Sequence, residues 1–151
     1  MKEKIKYFAL ILLGWLMVSC HTGQPAAVDA RDLDPFSPDA LCDYTLGDPK
    51  AGEALFNQPA LANNAGCVNC HSLKPDLVLV GPSLHNIAET AKDRIPGVIA
   101  ANYIYLSIME PNQHVMEGFE KDVMPLNYGT ELTTEEITNL VSYLMTLTEE
   151  K

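Results

Sequence analysis

Positive charge is what this 151-residue chain has least of: 10 Lys and Arg stand against 20 Asp and Glu. Arginine occurs only at Arg31 and Arg94, and the basic residues cluster only at Lys2, Lys4 and Lys6. A nucleic-acid groove or an anionic lipid surface needs a basic patch, so both are poor partners. A basic protein partner, steered by charge, suits the chain better. A long apolar run is also missing. The stretch Tyr7 to Val18 has 12 residues, whereas a membrane-spanning helix needs about 18 or more. No segment shows the alternation of a half-buried strand. Cysteine is scarce, at Cys20, Cys42, Cys67 and Cys70. There is no second C-x-x-C to complete a zinc site.

The short apolar run has a use of its own. Behind its three lysines it fits the h-region of a secretory signal covering residues 1–19. It ends at Val18-Ser19-Cys20, which resembles the lipobox of bacterial lipoproteins, with Met17 where Leu is usual. That resemblance implies cleavage before Cys20 and a diacylglycerol on its sulfur. The protein would then be held at the outer, extracytoplasmic face of the membrane in a bacterial cell envelope. More than one acyl chain makes such attachment stable. The competing reading, an ordinary thiol after an uncleaved anchor, is disfavoured by the length of the run. Removal of residues 1–19 takes away three Lys and one Glu, leaving seven basic and nineteen acidic groups and a net charge near −12.

Residues 20–47 are rich in Pro, Asp and Ala and show no helix or strand period. As a flexible tether they would reach roughly 30 Å. Alternatively, Phe36, Leu41, Cys42 and Tyr44 strap the segment onto the domain, and a mixture of the two is expected. The domain itself, 48–151, opens at Asp48-Pro49, an N-cap followed by proline at the first helical position. Ala51, Ala54, Leu55 and Phe56 give that short helix an apolar face. A second helix is predicted from Gly97 to Met109, stopped by Pro111. The last is marked by Thr133 and Glu136 as a capping box, with Ile137, Leu140, Val141 and Leu144 at helical period. The class is all-α. Connections this long in so small a domain need something other than side chains to fill the core.

Residues 66–71, "GCVNCH", supply the candidate. On one helical turn, Cys67, Cys70 and His71 share a face. Two thioether sulfurs and an axial nitrogen can then be offered to a single haem. Zinc would need further ligands, and Cys42, His85 and His114 are scattered. A redox dithiol needs no histidine and usually sits between a strand and a helix. The motif therefore reads as a c-type haem site. Cys42 is left as an inert thiol. For the opposite side of the iron the chain offers Met109, Met116, Met124, Met145, His85 and His114. Met109 and Met145 read as core or surface filler, His85 and His114 as solvent-facing, and His21 as part of the tether. Met124 stands out because Pro125 follows it in a non-periodic stretch, stiffening a loop that can bring sulfur toward the iron.

These features, with Gly52 and Phe56, Gly81-Pro82-Ser83-Leu84, Tyr103-Ile104, Ile108, "EPN" at 110–112, Gly118-Phe119, Val123-Met124-Pro125, Asn127-Tyr128-Gly129 and Tyr143, resemble a class I bacterial monohaem cytochrome c. The chain is most similar to the cytochrome domains of haem–copper oxidase subunit II and to monohaem lipoprotein subunits of alternative complex III. The resemblance runs from Gly52 to Leu147. It implies a small cytochrome c fold of three to five short helices around one covalent haem c. It also implies Gly52 and Phe56 packed on Tyr143, and the Pro82 carbonyl accepting the Nδ1 proton of His71. Met124 becomes the distal ligand, with Tyr128 reaching its sulfur or a haem propionate. Leu84, Ile104, Ile108, Phe119 and Leu126 would keep the iron dry. The 20–47 extension with Cys42 lies outside the family core.

With both axial positions filled, the expected activity is single-electron transfer without substrate chemistry, and the protein is not itself an enzyme. Its partner would be a redox protein or a respiratory or photosynthetic membrane complex, such as a quinol-oxidising or terminal oxidase complex. Free carrier and permanent subunit both remain open, the resemblance favouring a subunit. The competing class is a haem enzyme or gas sensor with a displaceable distal ligand. It would call for a distal His beside an Arg, and neither arginine lies in the distal loop.

Overall fold

The computed structural model describes residues 47–149. Cys20, His21, Cys42 and the remainder of the expected signal and tether lie outside the described residues. Among the described residues, six helices and one two-stranded hairpin are arranged in the order α1 (Pro49–Phe56), β1 (Ala60–Leu61), β2 (Asn64–Ala65), α2 (Cys67–Cys70), α3 (Ile87–Thr90), α4 (Ala100–Met109), α5 (Tyr128–Glu131) and α6 (Thr134–Leu144). A single 3-10 turn, Ala91–Asp93, continues α3. Only α1, α4 and α6 exceed one turn; the single-turn helices raise the number above the three to five expected. No described helix is long and apolar enough to cross a membrane.

The first and last helices form the frame. Asp48 caps α1 by accepting from the Lys50 amide at 2.9 Å, with Pro49 in the first turn. Its own amide donates to Asn139 Oδ1 on α6 at 2.6 Å. Gly52 lets the two backbones meet: a Cβ there would lie 2.0 Å from the Asn139 carbonyl oxygen. Phe56 and Tyr143 stack at a tilt across the same seam, ring centroids 5.6 Å apart. The Thr133–Glu136 capping box closes both ways, Glu136 N–H to Thr133 Oγ1 and Thr133 N–H to Glu136 Oε2. It starts α6, whose Ile137, Leu140 and Val141 are almost wholly buried.

Two expectations are corrected. Helix α4 begins at Ala100, not Gly97, because Gly97 has φ +81°, outside helical space, and Ile99 is extended. No side chain caps it. The chain also contains strands, although only two residues long: Ala60 pairs with Ala65 and Leu61 with Asn64. Ala62 and Asn63 make the turn at φ +50° and +59°, the conformation favoured in two-residue hairpins. Strands this short cannot show an alternation.

Candidate haem site

The hairpin delivers the chain to the cysteine turn. Gly66 donates to the Pro59 carbonyl at 3.0 Å. A side chain at Gly66 would strike the Gln58 carbonyl, with its Cβ 1.7 Å from that oxygen. Cys67 and Cys70 then sit one turn apart on α2, and Asn69 reaches back to the Pro59 carbonyl at 2.6 Å. His71 ends this turn. Its amide bonds the Cys67 carbonyl at 2.9 Å while its backbone is already extended (φ −116°, ψ 127°). Burial pushes the Cys67 thiol up to about 11, with the neighbouring Cys70 adding to the shift. A redox dithiol needs the opposite, a thiol made easier to ionise. Among the described residues no cluster of three His, Cys, Asp or Glu could hold a metal ion by itself.

The imidazole is set by the next loop. Its Nδ1 lies 2.9 Å from the Pro82 carbonyl oxygen. A carbonyl only accepts, so Nδ1 carries the proton and Nε2 keeps its lone pair for a metal. Burial lowers the His71 pKa, partly opposed by the Pro82 bond, and so favours the neutral ring a metal requires. Gly81 makes room: its Cβ would stand 2.5 Å from His71 Cε1. The loop is held by Gly81 N–H to the Cys70 carbonyl (2.9 Å), Leu84 N–H to the Ser72 carbonyl (2.8 Å) and Ser83 Oγ–H to the Lys74 carbonyl (2.7 Å). His85, expected to face solvent, is half-buried, with Nδ1 3.3 Å from the Leu73 carbonyl oxygen.

Cys67, Cys70 and His71 line one side of a cavity of about 420 Å³, and Met124 and Pro125 line it as well. Ligand cavities run roughly 300–1,000 Å³. Leu84, Ile104, Ile108 and Phe119 contribute apolar walls as expected. Leu126 does not: it is 52% exposed, on the outer side of the distal segment. Two other distal candidates, Met116 and His114, reach the same cavity. The His114 ring stands edge-on to Tyr103, centroids 5.8 Å apart. Tyr128 also lines the cavity, but its hydroxyl donates to the Ala65 carbonyl rather than reaching for a methionine sulfur or a propionate. Met109 and Met145 pack on the core, in keeping with their sequence context.

The family model described as Cytochrome c matches residues 49–148, about two thirds of the chain. The chain belongs to the cytochrome c family. A search of curated proteins found no match. The mostly helical architecture is the small cytochrome c fold, of class I type. Membership brings with it a covalently attached haem c and electron transfer as the family's general role.

The residues of this cytochrome fit that group. Two sulfurs share one turn, an imidazole has its tautomer fixed, and the cavity is apolar. Arg94 adds a feature that no sequence motif signals. It lines the cavity with its Nε buried and unpartnered. A buried guanidinium nitrogen without an acceptor is costly, and the carboxylates of a haem supply acceptors of the right charge. The residue stands in an ordinary "KDRIPG" stretch, so nothing local marks it.

Proposed function

We propose that this cytochrome carries single electrons through one haem c, joined by thioethers to Cys67 and Cys70 and ligated by His71 and Met124. The observation that carries the reading is the pairing of the His71–Pro82 bond on one side of the cavity with a loop methionine on the same cavity. A carbonyl partner orients the imidazole and raises its basicity. A Met/His pair raises the reduction potential. With both axial positions held by protein there is no site for a substrate, which sets the electron carrier above the enzyme or sensor.

The finer reading places the protein at the outer face of a bacterial membrane, held by lipid on Cys20, as a subunit of a quinol-oxidising or terminal oxidase complex. Support for this comes from the sequence of residues 1–20 and from the resemblance of the domain. The partner we propose is a redox protein or complex with a basic docking surface, matched to a chain with twice as many acidic as basic residues. Val80 and Val123, both exposed and both lining the cavity, give the mouth an apolar edge that suits transient contact.

The test is the optical spectrum of the oxidised, haem-loaded protein. A weak far-red band from sulfur-bound ferric iron is expected, lost in Met124→Ala and kept in Met116→Ala. Loss in Met116→Ala instead would move the ligand, and absence of the band together with rapid carbon monoxide binding would make the sensor reading correct. Unchanged processing in the presence of globomycin would remove the lipid anchor.

A further inference from the structure

Met124 sits in a stretch with almost no hydrogen bonds of its own. From residue 120 to residue 126, the one backbone group bonded among the described residues is the Asp122 amide. It donates to Asn112 Oδ1 at 2.9 Å, and Asn112 Nδ2 returns a bond to Asp122 Oδ1 at 2.7 Å. This reciprocal pair closes the loop that carries His114 and Met116, and it fixes the residue two before Met124. On the other side, Asn127 Oδ1 accepts from Asn64 Nδ2 at 2.8 Å, while the same amide also donates to the Ala62 carbonyl at 2.7 Å. Next to it, the Tyr128 hydroxyl donates to the Ala65 carbonyl. Ala65 is two residues before Cys67. Both bonds therefore join the distal segment to the hairpin that enters the cysteine turn.

We propose that residues 123–126 form a clamped gate. Asn112 holds one end, Asn64 and Tyr128 hold the other, and Met124 leaves the iron only when a clamp opens. The inference rests on Met124 being the distal ligand. Asn64, Tyr128 and Asn112 are positioning residues that act through Met124. The two clamps are unequal. Tyr128 is only 4% exposed and its bond to Ala65 is partly buried, so water replaces that bond less readily. The Asn112–Asp122 pair is exposed, and water replaces it at little cost. The hairpin clamp therefore controls the gate.

An external ligand enters the ferric site only after the methionine departs, so the rate of imidazole binding to the oxidised holoprotein reads the opening. Tyr128→Phe and Asn64→Ala are each expected to raise that rate about five- to tenfold, the factor that loss of one hydrogen bond gives. Asn112→Ala should raise it by less. Thr133→Ala, which removes the remote α6 cap, should lower the unfolding temperature and leave the rate unchanged. If Tyr128→Phe and Asn64→Ala speed imidazole no more than Thr133→Ala at equal loss of thermal stability, the clamp is overturned. Should Tyr128→Phe fail to accumulate, Asn64→Ala decides alone. A wild-type protein with the far-red band and insensitive variants overturns the clamp only. A wild-type protein without the band overturns the clamp together with the ligand assignment.

Discussion

The two sides of the cavity are built differently. On the histidine side, the backbone from Gly66 to Leu84 is crossed by bonds to Pro59, Cys70 and Ser72, and the ring is wedged between Gly81 and the Pro82 carbonyl. On the methionine side, the segment from 120 to 126 is held through Asp122 and through its C-terminal neighbours Asn127 and Tyr128. The His71 ring is placed by its whole surroundings, whereas Met124 packs on the core from a segment whose hydrogen bonds lie at its ends. The placement of the ring on the first side is therefore insensitive to any single bond, while the backbone of the second side answers to a few.

The contrast can be broken most directly at two glycines. Gly81→Ala would bring a methyl group to 2.5 Å from the Cε1 of the His71 ring. Overpacking of this kind costs about 1–3 kcal/mol. The expected result is a lowered unfolding temperature together with a shifted reduction potential, since the ring must tilt away from Pro82. An unchanged potential would show that the histidine side yields after all. Gly118 lies on the methionine side at φ +88°, and a Cβ placed there would meet nothing within 4 Å. Gly118→Ala should therefore cost only the left-handed backbone penalty, about 1–2 kcal/mol, and keep the far-red band. Its loss in that variant would mean the loop is tighter than its contacts imply.

The smallest effect sharpens the comparison at high pH. Burial, followed by the fields of Cys67 and Cys70, pushes the Tyr128 hydroxyl up to about 12, against about 10 in an unfolded chain. Between those values the native state keeps a proton that the unfolded state has lost. Stability falls as pH rises from about 10 to about 12, and this group adds no pH dependence below that window. Urea midpoints measured across the window should show the fall in wild type and a shallower one in Tyr128→Phe. Once the two sulfurs are thioethers they carry no charge, and their share of the shift is removed.

Much of this frame is legible in the residues. Asp48-Pro49 and the Thr133–Glu136 box are local signals, and both helices begin where those signals place them. The Cys67–His71 spacing is equally local. The features that escape such reading are settled by distant contacts. The hairpin at 60–65 has two-residue strands and an Ala-Asn turn, too little to register as a period. The direction of the Tyr128 hydroxyl depends on a carbonyl 63 residues away, and the burial of Arg94 Nε is a tertiary outcome that no local motif marks. Helix α4 starts later than its apolar spacing suggests because a glycine that looks helical in context adopts positive φ.

The close approach of the first residues of the domain to α6 has a mechanical side. Gly47 is pressed against the Thr138 carbonyl, where a Cβ would lie 2.3 Å from its oxygen, and Asp48 is bonded to Asn139. A force pulling on the chain that precedes the domain is delivered first to the seam between α1 and α6. If residues 20–47 act as a tether, a pull on them would meet this seam before it reached the loops that carry His71 and Met124.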